Sequence, residues 1–491
     1  MNFIRSVFFL LLALTGSSLE ANVDDHFDTI KKDSNLLYIF FKNMPKGGEL
    51  HYHLDGGPSA ETMLKLAARN HYCFDKDSFM VSKFSKTCEG IQSQELFKHP
   101  LFYLDLIKNW SFKEFTPKNE TAHDHFFKAF DKFYPIVKDF SPDLLASVIQ
   151  KAAKQKELYL EIITMPDQGH ASQFGSEISN QKSLPNKRRV LLANQAFQKN
   201  IAYAVTESDN LIKQAYDKLD CALHSKTAVC KTQVRLIFFI LREQPLDTVF
   251  AQALTAFESV KQSKGNLLGV NIVQAEDGPI ALRDYRQHMA IFHYLHQLYP
   301  QVKMSLHAGE LVPGLVDPKE LTFHIHDAVF TAHAHRIGHG VDIKHETDAT
   351  STLNYMAKHQ IAVEINLTSN FKILNLAGSN HPLTYYLAHH VPVVLSTDDE
   401  GILRTDLTQQ YVTAVRVNGL SYQELKLINR NALTYAFLPG KSIWSNPQNA
   451  ELISNCRDLN SLSCKAFIKD NKKAFLQWTL EQKLIAFEHK Y

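Results

Sequence analysis

Apolar runs of strand length alternate with helix-length segments along most of the chain. Two of them, residues 158–163 and 234–241, are apolar almost without interruption, as expected of strands covered on both faces of a parallel sheet. With an alternating run near the start, the strand candidates are 46–56, 158–163, 234–241, 267–273, 302–310, 336–340, 361–366 and 391–399. Strands in this number, separated by helices, predict an α/β fold, a closed (β/α)₈ barrel of the TIM type.

The segments outside these runs divide the chain into regions. Apolar positions with helical spacing at 25–43 stop at Pro45, which predicts an N-terminal helical segment over 22–44. The barrel is expected over 45–440, with mostly helical insertions around 60–155 and 165–232. A helical pattern continues further, so 441–491 is expected to form a C-terminal helical extension.

The balance of charge narrows the class of ligand. The chain has 53 Lys and Arg residues against 51 Asp and Glu residues, which gives a net charge of +2. Such a chain has no strong electrostatic attraction to nucleic acid, a membrane surface or a polyanion. A small neutral molecule therefore fits best as its ligand.

The first 21 residues have the layout of an export signal. Arg5 supplies a positive charge, an apolar core follows at 7–14, and small residues follow at 16–18 and 21. We expect cleavage within 1–21 and export to the periplasm or the medium, without stable membrane insertion afterwards. The alternatives are an uncleaved anchor and a chance apolar start.

Six cysteines fall into three pairs of near neighbours. An even number in an exported chain suggests three local disulfides out of the 15 pairings that six cysteines allow. Buried unpaired thiols are the alternative, and the C-x-x-C spacing of many zinc sites is missing from the sequence. The neighbouring pairs are Cys73 with Cys88, Cys221 with Cys230, and Cys456 with Cys464.

Polar residues cluster where the predicted strands end, which is where barrels of this type place their sites. On a strand, His51, His53 and Asp55 share one face because side chains alternate. The other strand ends contribute His307, Glu310, His339, Asp398 and Asp399. Three imidazoles and one carboxylate from this set would suit one catalytic zinc ion with an open position for water. Run 267–273 has no lysine to bridge two metals, which favours a single ion; taken singly, each residue could equally have an ordinary structural role.

Four motifs carry a resemblance to a known family: MPKGGELHYHLDG at 44–56, SLHAGE at 305–310, RIGHG at 336–340 and LSTDD at 395–399. Together they resemble the adenosine deaminase family of the metal-dependent hydrolase superfamily. The export signal, the cysteines and the PKGG variant look most like its secreted, growth-factor-related branch. The resemblance implies one zinc ion per chain, held by His51, His53, His307 and Asp398.

The resemblance also implies roles for the other strand-end residues. Glu310 would protonate purine N1, His339 would orient or deprotonate the attacking water, and Asp399 would contact N7. Attack at C6 breaks ring aromaticity, so N1 must take a proton as the new bond forms. Glu310 would therefore need a raised pKa in a dry pocket.

Two further positions concern the substrate. By resemblance Asp55 faces the ribose 5′-hydroxyl, and an acidic group there would repel a 5′-phosphate; the alternative is a loop cap. Gln274 stands where the family usually has Gly, whose backbone N–H approaches purine N3. Either the backbone shifts at Gln274 or its amide contributes to binding.

The leading interpretation is an exported zinc-dependent enzyme that deaminates adenosine and 2′-deoxyadenosine. Within enzymes, the rival is a deaminase of another adenine derivative, such as adenine, an N6-substituted purine or AMP. A rival of a different class is an extracellular binding or signalling protein on the same barrel. The metal and acid/base set argues against that rival, because a protein without turnover has no chemical need for Glu310 or His339.

Overall fold

A computed structural model describes residues 22–84, 86–118 and 120–491 of the chain. The export signal predicted over 1–21 lies outside the described residues. None of the helices in the described part of the chain is both long enough and apolar enough to cross a bilayer.

Eight parallel strands form the barrel, which confirms the predicted fold class. The strands pair with their neighbours in chain order, and nearly all their residues are buried. They are β1 Glu49–His53, β2 Tyr159–Thr164, β3 Gln233–Leu241, β4 Leu267–Val273, β5 Lys303–Ala308, β6 Arg336–His339, β7 Ala362–Ile365 and β8 Val393–Leu395. Burial on both faces accounts for their continuously apolar sequences.

The barrel closes between its first and last strands at a short seam. The amide of His53 donates to the carbonyl of Asp398 at 3.2 Å, and the amide of Asp398 donates to the carbonyl of His51 at 3.1 Å. Residues that the sequence assigns to a metal site therefore also join the two ends of the sheet.

Helices cover the outside of the barrel. Two N-terminal helices, Val23–Ile30 and Ser34–Asn43, precede β1. The main helices between strands are Ala60–Ala67, Pro100–Asn109, Ala122–Lys154, Leu184–Ala193, Gln195–Lys218, Leu246–Gln262, Pro279–Leu298, Ala349–His359, Leu367–Leu374 and Leu383–Ala388. After β8 come Glu400–Leu403, Leu407–Arg416, Tyr422–Thr434, Leu462–Lys469 and Lys472–Glu488.

Two regions that the sequence pattern presents as helical also contain short strands. Between β1 and β2, the strands Tyr72–Phe74, Val81–Lys83 and Ile91–Gln92 form a small antiparallel sheet. After the barrel, Trp444–Asn446 pairs with Glu451–Leu452. Strands of two or three residues are too short to show a period, so a pattern search misses them.

The six cysteines form three disulfides between near neighbours in sequence. The bonds join Cys73 with Cys88, Cys221 with Cys230, and Cys456 with Cys464. The first lies in the small antiparallel sheet and the last in the C-terminal region. Disulfides persist mainly in oxidising compartments, so their presence favours such an environment for this chain.

Candidate active site

Four side chains from three strand ends meet at the seam. His51, His53, His307 and Asp398 each offer one ligand atom, and these atoms all lie within 4.8 Å of one another. The Nε2 atoms of His51 and His53 are 3.3 Å apart, and Nε2 of His53 is 3.3 Å from Oδ1 of Asp398. Tetrahedral zinc with bonds of about 2.0–2.1 Å to nitrogen sets its ligands roughly 3.4 Å apart, so the cluster suits such an ion.

Hydrogen bonds orient two of these imidazoles so that Nε2 faces the cluster. Nδ1 of His51 lies 2.7 Å from Oε2 of Glu364, and Nδ1 of His307 lies 2.8 Å from Oδ1 of Asn271. Both oxygens can only accept, so each Nδ1 carries the proton and Nε2 keeps its lone pair. A metal ligand needs that lone pair.

Glu364 is itself held by buried partners. It accepts from the Ser305 hydroxyl at 2.8 Å and from Nε of Arg336 at 2.5 Å. Arg336 also donates to Glu161 at 2.6 Å. Burial alone would raise the pKa of Glu364, but Arg336 and His51 outweigh it and lower the pKa to about 2. The orientation of His51 thus rests on a chain of charged groups inside the barrel.

Glu310 and His339 lie beside the metal-ligand cluster. Oε1 of Glu310 is 3.2 Å from Nδ1 of His339, and Nε2 of His339 is 3.9 Å from Oδ2 of Asp398. Burial, with the charge of Asp398 added, raises the pKa of Glu310 well above its usual value. Burial lowers the pKa of His339 to about 3. A protonated carboxyl group next to a neutral imidazole is a pairing suited to acid/base chemistry.

Three residues around the site have left-handed backbone conformations that usually favour glycine. His339 has a φ of +66°, Asp398 of +67° and Gln274 of +81°. Strain of this kind in non-glycine residues gathers at functional sites, where the surrounding structure enforces it.

Asp399 lies next to the cluster because a glycine makes room for it. A Cβ atom at Gly56 would be 2.1 Å from Oδ1 of Asp399. Asp55 precedes this glycine, and burial raises its pKa to about 7. Burial and the neighbouring Asp398 raise the pKa of Asp399 well above its usual value. Two carboxyl groups thus reach the cavity beyond the metal ligands.

The cluster opens into a cavity of about 380 Å³. Its inner end is lined by ionisable side chains, and its walls are largely aromatic and aliphatic, contributed by Phe126, Phe127, Phe130, Tyr134, Met165, Phe239, Leu241 and Val273. Carboxyl groups are frequent in the lining, but no Lys or Arg from residues 22–84, 86–118 and 120–491 is among it. Such a cavity suits an apolar ring that carries a few polar groups.

The backbone and the side chain of Gln274 face different groups. Its backbone adopts a conformation open to glycine, and its side chain turns to the cavity wall, where Oε1 accepts from the amide of Glu243 at 2.9 Å. The backbone at this position therefore resembles that of a glycine, while the side-chain oxygen joins the ends of β3 and β4.

Sequence reasoning missed the residues that fix the segment carrying His307 and Glu310. Glu276 accepts from the amides of Gly309 and Glu310, each at 2.9 Å. Arg242 donates to the carbonyl of His307 at 2.7 Å. Nδ1 of His324 lies 2.6 Å from Glu276, and the pKa of Glu276 falls to about 2 because His324 and Arg242 outweigh the effect of burial. The only sequence signal was the position of Arg242 and Glu276 just after strands.

All nine residues that the sequence proposed for the site come together. Eight line the cavity: His53, Asp55, Gln274, His307, Glu310, His339, Asp398 and Asp399. His51 lies behind them in the metal-ligand cluster, fully buried. Their individual roles remain predictions.

Comparisons with known proteins agree with this geometry. A family model described as Adenosine deaminase matches residues 111–446. The adenosine deaminase of Klebsiella pneumoniae (strain 342) is 35% identical over 136 residues, which span 28% of this chain and only 38% of that enzyme. The N6-Methyl-AMP deaminase of Danio rerio is 24% identical over 408 residues, or 82% of this chain and 92% of the relative.

Solved structures share the barrel fold. Arabidopsis ADAL complexed with IMP superposes with a TM-score of 0.55 and 18% identity, covering 91% of this chain and 99% of that one. An adenine deaminase from Arthrobacter aurescens gives a TM-score of 0.51 and 18% identity, covering 80% and 94%. At this identity the likeness shows the fold alone.

Proposed function

The chain belongs to the adenosine deaminase family, and from that premise we propose that it converts adenosine and 2′-deoxyadenosine to inosine and 2′-deoxyinosine, with release of ammonia. The observation that carries the proposal is the metal-ligand cluster beside Glu310 and His339 in a cavity whose described lining includes no Lys or Arg. Family membership supports the broader class, a metal-dependent hydrolase that acts on carbon–nitrogen bonds.

We assign zinc as the metal because imidazole nitrogens and one carboxylate are its usual ligands in catalytic sites. His51, His53, His307 and Asp398 would hold it. When bound, the ion supplies Lewis-acid chemistry and lowers the pKa of water in the site toward about 7.

The residues around the cluster divide the proton transfers between them. His339 orients the attacking water and accepts its proton, while Glu310 gives a proton to purine N1 as oxygen adds to C6. The bond from C6 to the amino nitrogen then breaks as this nitrogen takes the proton held by His339 and leaves as ammonia, and the C6 hydroxyl returns a proton to Glu310 to form the carbonyl of inosine. The short contact between Glu310 and His339 supports this division, because the group that gives a proton and the group that accepts one lie side by side.

Three groups would orient the nucleoside. Asp399 would contact N7, the backbone amide of Gln274 would approach N3, and Asp55 would accept a hydrogen bond from the ribose 5′-hydroxyl. The aromatic residues of the helix Ala122–Lys154 supply an apolar wall near this end of the cavity. A purine ring with polar edges matches these groups.

A nucleotide substrate is the competing candidate, since the Danio rerio relative spans most of this chain and is named for N6-Methyl-AMP. A 5′-phosphate carries a negative charge that proteins usually meet with Arg or Lys. The described lining offers Asp55, Asp131 and Glu243 but no such cation. We therefore favour a nucleoside over a nucleotide.

An ultraviolet assay with adenosine, 2′-deoxyadenosine, adenine, AMP and N6-methyl-AMP distinguishes these substrates. We expect the two nucleosides to turn over and the nucleotides to react at least about a hundredfold more slowly, a difference of roughly 2.8 kcal/mol. Chelator should abolish turnover, and added zinc should restore it. Faster turnover of either nucleotide would replace the proposal with nucleotide deamination.

We also propose that the chain is exported, as its first 21 residues and three disulfides suggest. It would then act on nucleosides outside the cytoplasm, like the secreted, growth-factor-related branch that its motifs resemble. Mass spectrometry of expressed protein from the medium and from cells tests this. Chains that keep residues 1–21 and stay inside the cell would contradict it.

A further inference from the structure

A second cavity lies at the opposite end of the barrel from Glu310. It has a volume of about 580 Å³ and is bounded by the first residues of β4 and β5 and by the segment 434–440 that follows the helix Tyr422–Thr434. The strand ends that carry the candidate active site point the other way. This amino-terminal cavity is therefore separate from the site described above.

Three lysines line the amino-terminal cavity, and the described residues of its lining include no Asp or Glu. Nζ of Lys473 donates to the carbonyls of Thr434 at 3.1 Å and Ala436 at 2.9 Å, but it pairs with no carboxylate of the described chain. Within the same residues, Lys303 makes neither a side-chain hydrogen bond nor an ion pair. Lys261 has one carboxylate neighbour, Glu258, at 3.5 Å. Positive charge is thus in excess here.

Burial disfavours the charged form of two of these lysines. Burial lowers the pKa of Lys473 to about 8; Glu161 opposes the shift, while Arg336 and Lys303 add to it. Burial likewise lowers the pKa of Lys303. Like charges gathered in a partly buried space, without a counter-charge, are stabilised when an anion enters.

The rest of the lining combines polar side chains, which include Ser263, Gln301, His335 and Thr434, with an apolar part. The apolar part includes Leu268 of β4 and Phe437, Leu438 and Pro439 of the segment 434–440. Phe437 is fixed in place, because the guanidinium of Arg336 stacks on its ring at 3.7 Å. A ligand here would meet cationic groups and a rigid apolar surface side by side.

We propose that the amino-terminal cavity binds a small organic anion that joins a carboxylate or phosphate head group to an apolar body. The lysines would pair with the head group, and the wall formed by Phe437, Leu438 and Pro439 would cover the body. Its volume falls within the range of small-molecule sites, about 300–1,000 Å³. The proposal is independent of the reaction at the other end of the barrel.

Isothermal titration calorimetry with four probes tests the proposal on the full chain. Octanoate and octyl phosphate carry both head group and body, octanamide lacks the charge, and acetate lacks the body. We expect one of the two amphiphilic anions to bind one per chain, at least about tenfold more tightly than octanamide and acetate. The tighter of the two identifies the head group. Absence of binding by both, or equal binding of octanamide, would overturn the proposal.

Matched variants locate the binding. Lys303→Met keeps an unbranched side chain one atom shorter and removes a charge that has no partner within the described chain, so it should weaken binding of the anion about tenfold without loss of folding. The control is Lys441→Met, which changes an exposed lysine outside the cavity lining and should leave affinity unchanged. Equal affinity in wild type and Lys303→Met would show that the anion binds elsewhere and would refute the assignment.

Discussion

The two halves of the candidate active site are held in different ways. At the seam, His51 is oriented by a side-chain network in which Glu364 pairs with Arg336, and Arg336 pairs with Glu161. On β5, the segment carrying His307 and Glu310 is held by its backbone. Both halves depend on buried charges, but at the seam these charges orient a side chain, whereas on β5 Glu276 and Arg242 hold backbone amides and a carbonyl.

This difference predicts whether metal or turnover is lost when each half is damaged. A buried network around a ligand controls metal affinity, because it sets the tautomer and direction of the imidazole. A held backbone controls where the acid group lies relative to the substrate. Damage at the seam should cost metal, and damage on the β5 side should cost turnover.

The largest expected effect is at the acid group of the β5 half. Glu310→Gln removes the proton donor, so kcat should fall by about 10²–10⁴-fold, while metal content measured by inductively coupled plasma mass spectrometry stays at the wild-type level. The matched control is Glu451→Gln, which changes an exposed glutamate of the C-terminal region and should keep the wild-type kcat. Wild-type kcat in Glu310→Gln would remove the acid role from this residue.

A loss of metal is expected at the seam. Glu364→Gln weakens the acceptor of His51 and leaves Arg336 with one charged partner instead of two, so metal affinity should fall about 10–100-fold in a competition titration with a chelator. Asn271→Ala removes the acceptor of His307 without disturbing an ion pair, and its loss should be smaller. The reverse order would mean that the two halves do not differ as described.

A moderate effect is expected at Glu276, which holds the backbone amides of Gly309 and Glu310. In Glu276→Gln the carboxylate that accepts from two amides becomes neutral, so the segment should shift slightly and kcat should fall about tenfold with KM and metal content unchanged. Glu276→Asp keeps the charge and should recover part of the rate. Equal losses in both variants, accompanied by a lower melting temperature, would indicate a purely structural role.

The smallest effect is expected at Gln274 in the cavity wall. Gln274→Gly keeps the left-handed backbone and removes one hydrogen bond, from the amide of Glu243. We expect KM for adenosine to rise by about fivefold, with kcat unchanged. A large fall in kcat would mean that this side chain takes part in the reaction and does not only line the cavity.

The barrel could be predicted from the sequence because its strands are buried on both faces. The runs that contain β2, β3 and β4 are apolar almost throughout, and short runs of that kind between helices are typical of a covered parallel sheet. The meeting of His51, His307 and Asp398 follows from the same fact, since the carboxyl ends of all the strands of a parallel barrel share one rim. Chemistry at strand ends is therefore visible once the strands are found.

The supporting contacts could not be predicted in the same way. Glu276 and Arg242 are ordinary charged residues in sequence, and their function depends on which backbone amides and carbonyls face them in the folded chain. The left-handed backbone of Gln274 is likewise imposed by its surroundings, against its own preference. Tertiary contacts of this kind produce no periodic pattern in the sequence.

The short seam of the barrel also has a consequence for how the protein forms. The strands that it joins come from the two ends of the barrel sequence, so the entropy of closing the longest loop must be overcome before they meet. The bonds between His53, His51 and Asp398 belong to residues of the metal-ligand cluster. During synthesis, a growing chain that still lacks β8 therefore has neither a closed barrel nor a complete cluster, and metal uptake should mark the completion of folding.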